Sequence, residues 1–322
     1  MGANLLIFWF CKLFLYDIKK CNEWDIMADQ IGENLTHIKS LEGPFLSHNV
    51  DDLEFPLLIS VPHAGRVYPQ EIMNNLAVPA THLLRLEDRY ADRLASTAIG
   101  KGFAAIVAHR PRAWVDLNRN RSEIDVDMVN GLSRSQLPAP SRKVRGGLGV
   151  VPSRLNGIGN LWRKKWHWED IDHRLDSCHE PYHRSITDIL ERMRLKFGCA
   201  ILLDLHSMPP LDEDSGNVDI VIGDRFGRSA GSRYSELAMS FFEQSDIKAR
   251  LNHPYAGGYI LERHSKVEKD VHALQLEVDR GYYLDAALRE PGDQLPAMAD
   301  HIANLAIRLA DQMTSQFLLA AE

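Results

Sequence analysis

Residues 200–207 constrain the fold more than any other part of the chain. They form an apolar run that is interrupted by Asp204 and closed by His206 and Ser207. Apolar runs of this length are typical of strands that are buried on both faces of a parallel or mixed sheet. In such sheets, ligands bind in the crevice outside the carboxyl ends of the strands. The segment therefore predicts a central strand that carries polar side chains to a binding site.

Asp204 and His206 are the first candidates for that site. They lie two positions apart, so on a strand both side chains point to the same side. A metal-ligating histidine with a carboxylate to orient it would have this arrangement. A buried histidine that only hydrogen-bonds with its neighbour would have it as well. The pair alone leaves both interpretations open.

Other apolar patterns extend the predicted sheet. Four further strands are predicted at residues 56–61, 103–108, 218–223 and 273–278. Residues 81–99 carry apolar side chains at helical spacing between the first two of these strands, and this strand–helix–strand order predicts an α/β fold. Further helices are predicted at residues 178–197, 229–245 and 295–319. We expect one domain with a mixed, largely parallel central sheet flanked by helices.

Composition and the amino terminus limit the classes of function. The net charge of −7 argues against a general nucleic-acid-binding protein. The four cysteines lack Cys-x-x-Cys spacing, which favours a reducing, cytoplasmic location. The apolar residues 4–16 contain Lys12 and are too short to span a bilayer, so no stable membrane insertion is expected. They indicate an interfacial anchor or an upstream extension of the reading frame. We expect residues 1–26 to be a non-core extension and residues 27–322 to form the domain.

His63 and two aspartates are further candidates for a metal site. His63 follows an apolar strand and precedes the small residues Ala64 and Gly65, which leave room for a ligand. If residues 81–99 form one helix, Asp88 and Asp92 share one of its faces. Carboxylates in that position are either solvated or directed towards a cation.

Residues 110–121 predict an anion-binding segment. The segment contains four arginines, one of them within the tetrad Asp116-Leu117-Asn118-Arg119, and the planar guanidinium group matches carboxylates. A solvated basic loop is the competing interpretation, but the interleaved Trp114 and Val115 disfavour full exposure. The glycine-rich residues 146–160 predict a long loop, and loops of that length are usually functional.

Three features of the second half of the chain also suggest chemistry. Glu277 lies in an apolar strand, where a carboxylate is costly unless a charged group compensates it. The pair Gly257-Gly258 suits a loop that approaches a ligand closely, although a plain turn would also use it. Residues 179–183 match the His-Glu-x-x-His pattern of metalloproteases. We discount that match because Pro181 disturbs the uninterrupted helix that the motif requires.

Six motifs occur in a fixed order and together resemble one family. They are Ser60-Val61-Pro62-His63-Ala64-Gly65, the pair Asp88 and Asp92, Val115-Asp116-Leu117-Asn118-Arg119, Asp204-Leu205-His206-Ser207, Gly257-Gly258-Tyr259-Ile260 and Leu274-Gln275-Leu276-Glu277. This set resembles the N-formylglutamate amidohydrolases, a branch of the zinc carboxypeptidase-like superfamily that includes aspartoacylase and succinylglutamate desuccinylase. The resemblance covers about residues 45–310 and is specific for the family rather than for the substrate.

The resemblance implies a zinc ion and its ligands. His63 and His206 match the two histidine ligands of the family. Relatives with a His-x-x-Glu motif use its glutamate as the third ligand, but Arg66 stands at that position here. The third ligand must therefore be another carboxylate, with Asp88 as the first candidate and Asp92 as the second.

The resemblance also implies catalytic and substrate-binding residues. Glu277 matches the general base, and Arg112 matches the arginine that stabilises the oxyanion. The residues that match substrate contacts are Asn118, Arg119, Gly258 and Tyr259.

The implied activity is zinc-dependent hydrolysis of N-formyl-L-glutamate to formate and L-glutamate, in amino-acid catabolism such as histidine degradation. The implied partner is a small anionic N-acyl amino acid. A deacylase or amidase for another acidic amide, or a non-catalytic binder of an anionic small molecule, would use the same arginines. The sequence leaves the acyl group and the oligomeric state open.

Overall fold

The computed structural model describes residues 43–211 and 217–320, with side chains to residue 315. The contacts gather Pro44–Glu322 into one compact unit. The predicted boundary between residues 26 and 27 lies outside the described residues and stays a prediction. None of the described helices is both long and apolar enough to cross a membrane.

A seven-stranded sheet forms the centre of this unit, in the order β1-β3-β2-β8-β11-β9-β10. Four of its neighbouring pairs are parallel, and the pairs β1–β3 and β9–β11 are antiparallel. The prediction of a mixed, largely parallel sheet is therefore confirmed. The strands are β1 (Phe45–His48), β2 (Leu57–Val61), β3 (Ala104–Ala108), β4 (Val129–Asn130), β5 (Arg154–Leu155), β6 (Gly159–Asn160), β7 (Trp166–His167), β8 (Ala200–Met208), β9 (Ile220–Gly223), β10 (Ala249–Leu251) and β11 (Val271–Asp279).

Helices cover both faces of the sheet. The α-helices are α1 (Gln70–Asn75), α2 (Ala91–Leu94), α3 (Ser96–Gly100), α4 (Arg142–Arg145), α5 (Trp168–Arg174), α6 (Glu180–Phe197), α7 (Ser232–Gln244), α8 (Tyr259–His264), α9 (Arg280–Tyr283) and α10 (Leu295–Ala320). Alternate residues of β8 contribute to two different hydrophobic cores: Leu203 packs on the side of α7 and α10, and Leu202 packs on the side of α6. This period of two places Asp204 and His206 on the same face as Leu202.

The prediction of one helix over residues 81–99 is wrong. A 3-10 helix occupies Ala80–Arg85, and the short helices α2 and α3 begin only at Ala91. Tyr90, the residue before α2, has a φ of 59° in the left-handed region, which a continuous right-handed helix excludes. Asp88 lies before this break and Asp92 after it, so the two carboxylates do not share a helix face.

The helix predicted at residues 178–197 begins earlier than expected. Its path starts with α5 and continues through a π-helical turn, Leu175–His179, into α6. Pro181 stands in the first turn of α6. The wider π turn directly before it lets the helical path continue past a residue that lacks an N–H group. The glycine-rich residues 146–160 are also not wholly irregular, because they contain the β5–β6 hairpin.

Candidate metal centre and active site

The sheet brings two histidines together. β2 and β8 are parallel neighbours, with Ser60 opposite Asp204. His63 follows the end of β2 and His206 lies near the end of β8, so both reach the same edge of the sheet. Their ring centroids are 4.8 Å apart, and both residues are buried.

Asp88 completes a group of three possible metal ligands. Its Oδ2 lies 3.4 Å from Nδ1 of His63 and 2.9 Å from Nδ1 of His206. One ligand atom from each of the three residues lies within 4.8 Å of the others. The backbone N–H of Asp88 donates to the carbonyl of His63 at 3.0 Å, which fixes the segment beside the strand end.

In each histidine, Nδ1 faces Asp88 and Nε2 contacts a second carboxylate. Nε2 of His63 donates to Asp116 at 2.8 Å, and Nε2 of His206 donates to Asp204 at 2.8 Å. A histidine whose Nε2 carries the proton presents Nδ1 as the electron-pair donor, and such carboxylate–histidine pairs orient metal ligands. Asp204 therefore sits where the same-side geometry of the strand predicted it.

The three residues fit a divalent metal ion. Nδ1 of His63 is buried and makes no hydrogen bond to any described residue. Such an unsatisfied buried atom is costly unless a ligand binds to it. Two imidazole nitrogens and one carboxylate oxygen are also a donor set that suits a catalytic zinc ion.

The electrostatics of this centre favour a positive charge. Burial alone would lower the pKa of His206, but Asp204 and Asp88 hold it well above its usual value. Burial would raise the pKa of Asp88, yet the neighbouring imidazoles of His206 and His63 hold it well below its usual value. The carboxylates thus stabilise a cation at the place where the ligand atoms converge.

Asp92 does not take part in this group. Both of its carboxylate oxygens accept hydrogen bonds from Arg66, at 2.9 and 2.8 Å. The Asp92 side chain is 31% exposed, whereas that of Asp88 is 3% exposed. Arg66 stands where relatives with the His-x-x-Glu motif have the glutamate. Its guanidinium pairs with Asp92, the second candidate for the third ligand.

A cavity of about 410 Å³ opens beside the three ligands. Of the residues predicted to act in catalysis or substrate binding, it is lined by Arg112, Asn118, Arg119, Gly258 and Glu277. The structure thus brings these five residues to the possible metal centre. Tyr259 is not among the described residues that line the cavity.

Glu277 lies next to the candidate metal centre because β11 pairs with β8, with Glu277 opposite His206. Burial raises the pKa of Glu277 to about 7. Among its neighbours, His206 lowers this pKa and Asp88 raises it. Its Oε1 accepts a hydrogen bond from Gln275 at 2.8 Å. A cation bound at the three ligands would lower this pKa and keep the carboxylate ionised.

Asp116 links the metal centre to the arginine-rich segment. One of its oxygens binds His63, and the other accepts a hydrogen bond from Nε of Arg112 at 2.8 Å. Nε of Arg119 lies 3.8 Å from the same carboxylate. The terminal NH₂ groups of Arg112 make no hydrogen bond to any described residue, so they remain available to a ligand in the cavity.

Asn118 and Gly258 depend on one another. Oδ1 of Asn118 accepts a hydrogen bond from the backbone N–H of Ile260 at 2.9 Å, and its Nδ2 lies 3.2 Å from Nε2 of His206. A Cβ atom on Gly258 would collide with the Asn118 side chain. Glycine at 258 therefore lets the loop approach Asn118 closely.

The two histidines at residues 179–183 lie behind this site rather than in the group of metal ligands. Nε2 of His179 donates to the carbonyl of Arg119 at 2.8 Å, and Nε2 of His183 donates to that of Leu117 at 2.9 Å. The Tyr259 ring packs against both imidazoles. These residues support the arginine-rich segment from behind.

Sequence reasoning missed several residues of the site, notably Arg280. Its guanidinium donates to Oδ1 of Asp88 at 3.0 Å and to Ser207 at 3.0 Å, which leaves Oδ2 of Asp88 to face the histidines. The one available signal was its position directly after the strand that carries Glu277. Asp116 lies in one of the six motifs but has no predicted role of its own, and none of the motifs includes Lys143.

Comparisons with known proteins identify the family. The family model for N-formylglutamate amidohydrolase matches residues 55–284. N-formylglutamate deformylase from Pseudomonas aeruginosa is 28% identical over 240 residues, which are 71% of this chain and 82% of that protein.

Solved structures show the same fold. The crystal structure of N-formylglutamate amidohydrolase from Ralstonia eutropha JMP134 has a TM-score of 0.78 and 25% identity, with coverage of 85% of this chain and 99% of that one. A gene product from Agrobacterium tumefaciens has a TM-score of 0.62 at 15% identity, with coverage of 85% and 98%, and supports the fold alone. Since the family model covers residues 55–284, well over half of the sequence, this chain belongs to the N-formylglutamate amidohydrolase family.

Proposed function

We propose that the protein is a zinc-dependent hydrolase that converts N-formyl-L-glutamate to formate and L-glutamate. The observation that carries this proposal is the convergence of His63, Asp88 and His206 on one point at the wall of a cavity that also contains Glu277. The family membership and the names of the relatives support an amide of glutamate as the substrate.

Zinc would be held by Nδ1 of both histidines and by a carboxylate oxygen of Asp88. When bound, it would lower the pKa of a water molecule towards neutrality and polarise the amide carbonyl. Asp116 and Asp204 keep the histidines oriented, and Arg280 keeps Asp88 oriented. The protein thus supplies a rigid set of ligands.

Glu277 would act as the general base and then as the general acid. Its carboxylate would accept a proton from the attacking water and later donate it to the nitrogen of the leaving glutamate. This nitrogen must gain a proton when the C–N bond breaks, because an amide anion is a poor leaving group. Glu277 lines the same cavity as the three possible ligands, which supports this role.

Arg112 would stabilise the negative charge that develops on the amide oxygen. Its Nε is fixed by Asp116, so its terminal NH₂ groups are held in place before the reaction begins. Donors that are held in this way cost little reorganisation in the transition state. Arg119, with Asn118 beside it, would bind the carboxylate of the substrate that lies close to the scissile amide.

The same proposal includes a cytoplasmic location and a role in amino-acid catabolism, such as histidine degradation. The cysteine pattern supports the location, and the N-formylglutamate substrate of the named relatives supports the role. Gly258 would shape the substrate loop. Tyr259 would act indirectly, by supporting the arginine-rich segment together with His179 and His183.

A hydrolysis screen tests the proposed function. The zinc-loaded protein would be given N-formyl, N-acetyl and N-succinyl derivatives of glutamate, aspartate and methionine, with release of the free amino acid as the readout. We expect the highest kcat/KM for N-formyl-L-glutamate. A clear preference for another acyl group would reassign the substrate, and binding of these compounds with no hydrolysis would indicate a non-catalytic anion-binding protein.

A further inference from the structure

Lys143 is a cationic residue of the cavity to which the proposed reaction gives no role. It lies on α4 (Arg142–Arg145) and lines the same cavity as Glu277 and Arg119. Its ammonium group makes no hydrogen bond or ion pair with any residue in the part of the chain that the structure describes. The side chain is therefore free to bind a ligand.

The backbone fixes the position of α4 relative to Arg119. The N–H of Leu148 donates to the carbonyl of Lys143 at 2.9 Å, and the carbonyl of Leu148 accepts a hydrogen bond from Nε of Arg119 at 2.9 Å. The Ser141 hydroxyl accepts a hydrogen bond from the N–H of Val144, and the Val144 side chain is buried. Lys143 is thus carried by a short helix that is anchored beside the predicted carboxylate-binding arginine.

Carboxylates of the protein already engage most other cationic groups of the cavity. Arg112 pairs with Asp116 at 2.8 Å, and Arg280 pairs with Asp88 at 3.0 Å. Arg119 lies 3.8 Å from Asp116. Arg85 has no acidic partner among the described residues, but its guanidinium donates to the carbonyl of Asn156 at 3.3 Å.

The charge around Lys143 favours an anion at this place. Lys143 is exposed, but partial desolvation at the cavity lowers its pKa, and the positive charges of Arg119 and Arg112 lower it further. An anionic group between these cations would remove the repulsion that they exert on one another. N-formylglutamate carries two carboxylates, and Arg119 accounts for only one of them.

We propose that Lys143 binds the side-chain carboxylate of the substrate while Arg119 binds its α-carboxylate. Lys143 is then the residue that selects acyl amino acids with two carboxylates over those with one. This inference rests on the proposed function, since it concerns the specificity of the same site. A lysine that is only solvated at the cavity mouth would have no effect on this selectivity.

The test compares N-formyl-L-glutamate with N-formyl-L-glutamine, which has nearly the same shape but lacks the side-chain charge. We expect Lys143→Met to reduce kcat/KM for the glutamate compound by roughly ten- to a hundredfold, as for loss of a hydrogen bond to a charged group. The change for the glutamine compound should be much smaller. Because this contact is equally present before and during the reaction, the effect should fall mainly on KM.

Three further variants separate specific binding from general effects. Arg142→Met removes one positive charge from the same short helix. Arg142 is exposed, as Lys143 is, but it does not line the cavity, so kcat/KM for both substrates should be unchanged. Lys143→Arg keeps the charge and should retain most of the selectivity. Arg119→Met should lower kcat/KM for both substrates, since both carry the α-carboxylate.

The outcomes distinguish this inference from the function on which it rests. If Lys143→Met hydrolysed both compounds with the kcat/KM values of the unmodified protein, the role of Lys143 would be overturned and the proposed function would stand. An equal loss for both compounds would also overturn that role, because that result indicates a structural effect. If the unmodified protein hydrolyses neither compound, the proposed function is wrong and the inference fails with it.

Discussion

Glu277→Gln is expected to abolish most of the activity while leaving the fold and the metal in place. The substitution keeps the shape of the side chain but removes the group that exchanges protons. General acid–base catalysis typically contributes about 10²–10⁴-fold, and the loss should reach the upper part of this range because one residue serves in both steps. Steady-state kinetics should show the effect in kcat more than in KM.

Glu262→Gln is the matched control for this variant. Glu262 is a surface carboxylate that forms an ion pair with Arg225 at 3.1 Å and does not line the cavity. It should keep full activity. If Glu277→Gln retained more than about a tenth of the unmodified kcat, Glu277 would not be the catalytic base, given the usual size of that contribution.

Asp88→Ala should lose most of the bound metal, whereas Asp92→Ala should keep it. Asp88 lies between both histidines, and its removal also leaves the buried Arg280 without its carboxylate partner. Loss of a residue that only orients a ligand typically costs about 10–100-fold in metal affinity, so loss of a ligand should cost more. Zinc content after dialysis against a weak chelator is the direct measurement.

The Asp92 variant serves as the control for charge and stability. Its ion pair with Arg66 is partly exposed, and such pairs contribute about 1 kcal/mol or less to stability. The variant should therefore fold normally and bind zinc. If both variants kept their zinc, the third ligand would have to be a different residue.

The sheet could be predicted from the sequence because its strands are nearly continuous apolar runs. Strands β2, β3, β8 and β11 fall within or close to the predicted segments, since a strand that is buried on both faces carries mostly apolar side chains. The predicted strands also place His63, His206 and Glu277. Each lies near the carboxyl end of a strand, and parallel strands bring those ends to one edge.

The errors arose where contacts between distant residues determine the local conformation. The apolar spacing of residues 81–99 is compatible with a helix, but the Tyr90 hydroxyl donates to Glu290, and the Tyr90 backbone breaks the helical path. The sequence shows no contact that favours Asp88 over Asp92 as the third ligand. The contact that separates them, the pairing of Arg66 with Asp92, depends on the fold.

The roles of the supporting residues could not be predicted for the same reason. Arg280 contacts Asp88 across 192 positions of the sequence, and His183 contacts Leu117 across 66. No local pattern encodes such pairs. The sequence therefore predicts which residue types are present at the site, whereas the contacts that hold them in place require the structure.

The most direct test of the proposed metal-dependent mechanism is a titration of zinc into metal-free protein, with formate release from N-formyl-L-glutamate as the readout. His63, Asp88 and His206 form one group that could hold a single metal ion. Activity should therefore rise in proportion to added zinc and level off near one equivalent per chain. Addition of zinc to the His206→Ala variant should restore little activity. Full activity in protein that contains no divalent metal would contradict the mechanism.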